Sequence, residues 1–371
     1  MASTAKHGWP MVRLGDVCEI LNGFAFSSKK FGAEGDMPII RIRDVVSGTT
    51  STYYSGDWDE KYLIQAGEIL VGMDGDFNYA RWNSAPALLN QRVCKVSADE
   101  QHITDAYLFH VLQFPLRDIW EKTAFVTVKH LSAKRLAEAL IPLPPLEEQR
   151  HIAAILDEVE AAISAAKSQL SELSAIPFWM GDRRFELVAL SELVDIRSSQ
   201  VDPTSEPYMS MPHIAPNNLS SGSDEIVGVK SAAEDGVTSG KYAFQAGDIL
   251  YSKIRPYLNK VSVAAYDGVC SADMYALVPK NKAQTDWIVW QLRSSRFLAY
   301  AASSSGRASI PKINRKALRA FKVQLVEPAV LEQFNREQNV KKALANSVRA
   351  KLHLLQELQS SLSTRAFQGE L

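Results

Sequence analysis

Cysteine is scarce in this chain of 371 residues: Cys18, Cys94 and Cys270 are all there is. Their spacing fits neither a zinc ligand set nor a disulfide framework, so they read as buried thiols in a protein of the reducing cytoplasm. No apolar run is long enough to span a bilayer, and Met1–Trp9 lacks the apolar stretch of a secretory signal. Excess charge is missing too. The 41 Lys and Arg meet 42 Asp and Glu, a net charge of −1, which excludes a uniformly basic coat for nucleic acid. Catalytic signatures are equally absent. There is no Gly-x-x-x-x-Gly-Lys-Ser/Thr phosphate loop and no Asp/Asn-Pro-Pro-aromatic run; Pro144-Pro145 stands between Leu143 and Leu146. Val71-Gly72-Met73-Asp74-Gly75-Asp76 lacks dinucleotide-loop spacing, and its acids read as a turn between strands rather than a metal site. No catalytic residue, no metal site and no cofactor held by the chain itself is expected.

What is present is a repeat. Leu14-Gly15-Asp16-Val17 returns as Leu190-Ser191-Glu192-Leu193, shifted by 176. Gln65-Ala66-Gly67-Glu68-Ile69-Leu70 returns as Gln245-Ala246-Gly247-Asp248-Ile249-Leu250, shifted by 180. Leu131 to Leu136 answers Ile313 to Leu318, and Pro145 with Glu148-Gln149 answers Pro328 with Glu332-Gln333. The order is kept and the shift drifts slowly, as insertions in surface loops produce. The chain is therefore read as a unit of about 180 residues written twice.

Each half opens with short apolar runs between turn residues, such as Pro38–Ile42, Glu68–Val71, Arg92–Val96, Asp248–Tyr251 and Lys260–Val263, which predict strands. Helical stretches follow at Asp105–Trp120 and Thr285–Ala302, and each half closes on a long helix. In the first long helix Ile152, Leu156, Val159, Ile163, Ala166, Leu170 and Leu173 fall at steps of 4 and 3, a heptad seam begun by Pro144-Pro145 and ended by Pro177. In the second, Phe334, Ala345, Val348, Leu352, Leu355 and Leu362 keep the period, with Lys341 and Gln359 interrupting it. The two seams pack on each other or each on its own domain. The expected fold is α/β (α+β): two mixed domains, each followed by a long helix. The expected spans are 1–145 and 177–326 for the domains, 146–176 for the first helix, and 327–371 for the second with its tail. Net charges over these four spans in chain order are −2, −4, +4 and +1.

Several of these residues form a pattern similar to a known family. Thr127–Ser132, then Leu136, then Ile141-Pro142-Leu143-Pro144-Pro145-Leu146-Glu147-Glu148-Gln149 and Ile152 resemble the domain-to-helix junction of type I restriction-modification specificity subunits. Trp9–Val17 resembles that family's first strand and turn, and Leu358–Leu371 its C-terminal tail. The second half departs from the pattern: Glu327-Pro328-Ala329-Val330-Leu331-Glu332-Gln333 has one proline, which leaves the start of the second helix open. The resemblance implies two α/β target recognition domains separated by two long antiparallel helices that form a coiled coil, in a non-catalytic subunit whose domains each read half of a bipartite DNA site. It implies two methyltransferase subunits, which bring S-adenosylmethionine, and restriction subunits, which bring ATP and Mg, as partners. Double-stranded DNA is the expected ligand, and no membrane is.

DNA reading calls for Lys and Arg on phosphates and for Arg, Asn, Gln and hydroxyls on base edges. Residues 293–322 hold eight basic side chains and no acid, including Arg307, Lys312 and Arg315. The matching stretch of the first half offers Lys129 and His130. A second matched pair of loops offers Asn78, Tyr79 and Arg81 against Lys253, Arg255, Tyr257, Asn259 and Lys260; a third sets Arg41 and Arg43 against His213. Two other readings stay open on the residues alone: a stand-alone DNA-binding regulator and a coiled-coil scaffold without DNA.

Overall fold

The computed structural model describes residues 8–123, 129–175, 178, 185–305, 310–368 and 370. The chain divides into two compact units, Met1–Lys167 with Ala350–Leu371, and Ser168–Arg349. Both divisions fall inside long helices, Leu146–Ala175 and Pro328–Gln368. Each unit thus owns one α/β domain and a portion of both helices.

In the first unit a four-stranded antiparallel sheet runs in the order Cys18–Asn22, Val93–Ala98, Ile69–Gly72, Tyr79–Arg81. In the second the order is Val194–Ile196, Met274–Pro279, Ile249–Ser252, Val261–Val263. The two sheets are the same sheet twice, as the sequence repeat requires. Each central strand serves two cores because side chains alternate across a strand. Ile69 and Val71 enter one cluster and Leu70 another; Ile249 and Tyr251 enter one and Leu250 another.

A five-stranded sheet accompanies each of these. Both contain one parallel pair, Met37–Ile40 beside Ala87–Leu89 and Pro212–Ile214 beside Gly268–Cys270. The fifth strand is added at opposite edges: Phe31–Gly32 beside Tyr53–Tyr54 in the first unit, Gln200–Val201 beside Lys241–Phe244 in the second. The halves differ there, at a sheet edge, where a strand can be added without altering the order of the other four.

A two-stranded ribbon closes each domain, Met11–Arg13 with Leu140–Pro142 and Glu186–Ala189 with Lys322–Leu325. One aromatic side chain fastens each ribbon to a helix: Tyr107 Oη donates to the Pro142 carbonyl at 2.9 Å, and Trp287 Nε1 to the Gln324 carbonyl at 2.7 Å. Both are buried, and an aromatic of this kind needs a partner for its polar end.

The helical stretches after the sheets are each broken in two, into Asp105–Val111 and Gln113–Lys122, and into Thr285–Arg293 and Ser295–Ser303. Ser294 makes the second break, leaving the helical conformation and capping the next helix through Phe297 N. The expected strands shift by a residue or so; Arg41 and Ile42 fall outside Met37–Ile40.

The start of the first long helix is pinned by Gln149. Its buried amide accepts from Thr104 N at 2.8 Å and donates to the carbonyls of His102 and Pro144 at 3.0 and 2.9 Å. The second helix starts at Pro328, so the lost double proline did not remove it. Gln333 there is exposed and bonds Glu337, and Asn335 makes the domain contact instead, donating to the Ala283 carbonyl at 2.8 Å. Of the expected seams, Ile152, Leu156, Val159, Ile163 and Val348 are buried; Leu170, Leu173, Leu352, Leu355 and Leu362 are half-buried. Ile152 and Leu156 share the first unit's core with Ala366 and Phe367, so part of that seam packs on its own domain. Pro177 lies outside the described residues.

Candidate nucleic-acid interface

The Gln-Ala-Gly-acid turn sets up the site in each unit. Gly67 and Gly247 adopt φ of +94° and +93°, which a Cβ disfavours. The acid then folds back: Glu68 accepts from Gln65 N at 2.7 Å, Asp248 from Gln245 N at 2.9 Å. Lys95 neutralises Glu68 at 2.9 Å and Arg197 neutralises Asp248 at 2.6 Å. The central strand leaves this turn and delivers the next loop to the open end of the sheet.

In the first unit that loop meets two others. Met73 N donates to the Arg92 carbonyl at 2.8 Å, and Leu131 N to the Met73 carbonyl at 2.7 Å. Asp74 stands in the middle, bonded to Arg92 Nη1 and 2.7 Å from His130 Nδ1. Burial works against its ionisation, but the hydrogen bonds from His130 and Arg92 prevail and hold its pKa below the ordinary carboxylate value. Arg92 itself sits at φ +81°. Asn22, Gly23, Gln91, Arg92, His130 and Ser132 line an open depression of about 630 Å³ beside them.

The second unit repeats the wiring with other side chains. Lys253 N donates to the Asp273 carbonyl at 3.0 Å, and Ile313 N to the Lys253 carbonyl at 3.0 Å. Met73, Arg92 and His130 thus answer Lys253, Asp273 and Lys312. Lys312 Nζ lies 3.6 Å and Lys253 Nζ 4.0 Å from Asp273, and Lys253 also donates to the Ala272 carbonyl. The charge signs are inverted between the halves. Sequence matching did not single out Arg92 or Asp273, because the residues that occupy the shared place are unlike; the signal was the backbone register, visible only in the fold.

Several expected contact residues turn inward. Tyr79 packs edge-on to Phe109 at 5.3 Å between centroids, and burial, with Glu160 nearby, pushes its phenol up to about 12. Arg81 is spent on Asp105 at 2.6 Å, on the Gly67 carbonyl and on the Phe109 ring. His213 is only 4% exposed, with Nδ1 2.8 Å from Asp235. Lys260 Nζ donates to the Pro216 carbonyl and Asn259 Nδ2 reaches the Arg293 carbonyl at 3.5 Å, so both serve their loop. Alternation along Tyr79–Arg81 and the buried acceptors nearby decide where these side chains go.

Others stay at the surface. Arg43 and Asn78 are exposed, as is Arg255, and Tyr257 keeps 62% of its surface. Arg41 is half-buried, its N–H bonded to Asp44, and Lys129 lies over the Trp120 ring with Nζ 3.1 Å from that residue's carbonyl. Arg315 stands 6.0 Å from the Tyr275 ring centroid. The basic stretch 293–322 is thinner than its sequence. Arg293 braces the carbonyls of Ser223 and Val261 and pairs with Asp224, and Arg296 bonds the Lys322 carbonyl and covers Phe321. Arg307 lies outside the described residues, as do Thr127 and Val128.

The three thiols are buried, which pushes each up to about 12 and removes them as nucleophiles at neutral pH. Among the described residues His110, Asp157 and Glu160 bring three donor atoms within 4.8 Å of one another, with His110 Nε2 bonded to Asp157 at 2.7 Å.

Two copies of one α/β domain, each presenting loops at the end of the same sheet, define a duplicated α/β protein. Residues 6–175 match the family model described as Type I restriction modification DNA specificity domain. The specificity subunit of the type I restriction enzyme EcoBI of Escherichia coli is 43% identical over 195 residues, 52% of this chain and 40% of that protein. The EcoDI specificity subunit of Escherichia coli is 24% identical over 413 residues, 98% of this chain and 88% of that one. A solved S subunit of a Type-I restriction-modification system from M. genitalium shares the fold at a TM-score of 0.53, with 13% identity, over 98% of this chain and 99% of that one. Residues 6–175 are thus similar to a type I DNA specificity domain, and nearly the whole chain is similar to a type I specificity subunit.

Proposed function

We propose that this chain is the non-catalytic DNA-reading subunit of a type I restriction-modification complex. Each domain reads one half of a split double-stranded site. The observation that carries this reading is the pair of equivalent loop sets with unlike side chains, Met73, Arg92 and His130 against Lys253, Asp273 and Lys312. One scaffold with two chemistries suits two unlike half-sites. Arg43 and Asn78 in the first domain and Arg255, Tyr257, Lys312 and Arg315 in the second are the further DNA contacts we retain.

The long helices set the number of base pairs between the half-sites. Thirty and 41 helical residues correspond to roughly 45 and 60 Å of rise. The helices also dock the partners, two methyltransferase subunits and, for restriction, translocase-nuclease subunits. Val340 and Leu344 in the second unit and Leu354 and Leu358 in the first leave apolar surface open on the second helix, which supports this. S-adenosylmethionine, ATP and Mg belong to those partners. No described helix is long and apolar enough to cross a membrane, which accords with a cytoplasmic complex.

The test is sequencing for methylated bases in DNA from cells expressing this chain with its methyltransferase partner, against cells lacking the chain. A split motif that depends on the chain establishes the reading. An active methyltransferase that leaves no such motif overturns it in favour of a regulator or a scaffold.

A further inference from the structure

Arg92 and Asp273 occupy the same place in the two domains and carry opposite charge. Each sits at the end of the loop that enters the long strand of the four-stranded sheet, Val93–Ala98 or Met274–Pro279. Each gives its carbonyl to the residue after the central strand, Met73 or Lys253.

The Arg92 loop is held tightly. Gly23 N donates to the Val93 carbonyl and Gln91 N to the Phe24 carbonyl. A Cβ on Gly23 would stand 2.1 Å from the Asn90 carbonyl oxygen, so the two backbones touch where only glycine fits. Arg92 adopts φ +81° beside this contact, a conformation that a residue with a Cβ rarely takes and that persists where surroundings impose it. The side chain so placed is not used for packing. It keeps 58% of its surface, with Nη1 fixed by Asp74, which also holds His130. A guanidinium has five N–H donors, so an arginine braced through Nη1 has others to present to the depression it lines.

Asp273 is the complement. Its side chain keeps 44% of its surface, and Lys253 and Lys312 flank it at 4.0 and 3.6 Å. An ionised carboxylate only accepts hydrogen bonds and is repelled by phosphates. The two lysines offset that repulsion and let an acid stand in a DNA-facing loop.

We propose that Arg92 and Asp273 are specificity-determining residues, one for each half-site. Arg92 takes the O6 and N7 acceptors of a guanine in the major groove. Asp273 accepts from an exocyclic amino group, N4 of cytosine or N6 of adenine. The inversion of sign at one shared position makes the half-sites unlike. This assignment rests on the DNA-reading function above.

The test is selection of binding sites from a pool of randomised DNA duplexes by the full chain assembled with its methyltransferase subunits. Wild type, Arg92→Gln, Arg92→Lys and Asp273→Asn are compared, with thermal unfolding of each variant run alongside. Wild type selects two half-sites. Arg92→Gln loses about tenfold or more of the preference for guanine at one position of one half-site, at ~1–3 kcal/mol per bidentate contact, and leaves the other half-site unchanged. Asp273→Asn relaxes one position of the other half-site. Arg92→Lys keeps the positive charge beside Asp74 and loses the fork; it carries the test if Arg92→Gln fails to fold. Folded variants that select the wild-type motif overturn the assignment while the DNA-reading function stands. A wild-type assembly that selects no motif overturns both.

Discussion

The ring of Phe367 meets the ring of Phe114 edge-on, 4.7 Å between centroids, and so brings the last turn of the second long helix into the core of the first unit. Phe178, just beyond the first long helix, does the same in the second unit, 5.0 Å from Phe334. Tyr107 and Trp287, equivalent residues, receive the two phenylalanines at 5.5 and 6.4 Å. Each domain is thus finished by a residue that arrives from the end of a helix it did not begin.

Phe367→Ala is expected to destabilise the first unit by about 3 kcal/mol, since truncating a buried aromatic leaves a cavity. Hydrogen exchange should report faster opening around Tyr107 and Leu116, with amides of the second unit unchanged. Phe178→Ala should give the reverse pattern. Uniform loss of protection throughout the chain would contradict independent units.

Gln149 and Gln333 are matched in sequence and not in structure. Gln149→Ala leaves Thr104 N and two carbonyls without their partner, at a cost of about 2–3 kcal/mol. Gln333→Ala removes an exposed bond to Glu337 and should stay within about 0.5 kcal/mol. Urea denaturation of the two variants checks the contrast; equal losses would mean that the second helix start is pinned in the same way.

Tyr79 gives the alkaline limb a component that can be isolated. Its folded pKa of about 12 lies above the unfolded value near 10, so the fold favours the protonated phenol. That contribution is fully present below pH ~10 and is lost as pH rises toward 12, by about 2 kcal/mol. Tyr79→Phe should therefore flatten the stability profile between those values and leave the neutral region nearly unchanged. An unaltered profile would show that the ring is open to water.

The doubled sheet was legible because its marks are local. Gly67 and Gly247 need a positive φ, Glu68 and Asp248 cap the turn they belong to, and Ile-Leu runs bury both faces of the strand that follows. The candidate contacts were less legible because they depend on partners distant in sequence. Nothing near Arg81 announces Asp105, and nothing near Lys260 announces the Pro216 carbonyl. Arg92 and Asp273 were hidden for the opposite reason. A shared place filled with opposite charges leaves no similarity to match, although that difference is what two unlike half-sites ask for.

The division of the chain has a consequence for synthesis on the ribosome. The second unit is a continuous stretch, Ser168–Arg349, and can close as soon as it emerges. The first unit also needs residues from Ala350 onward, among them Ala366 and Phe367 of its core. The domain made first is therefore completed last, and its exposed apolar face must wait through the whole of the second domain's translation.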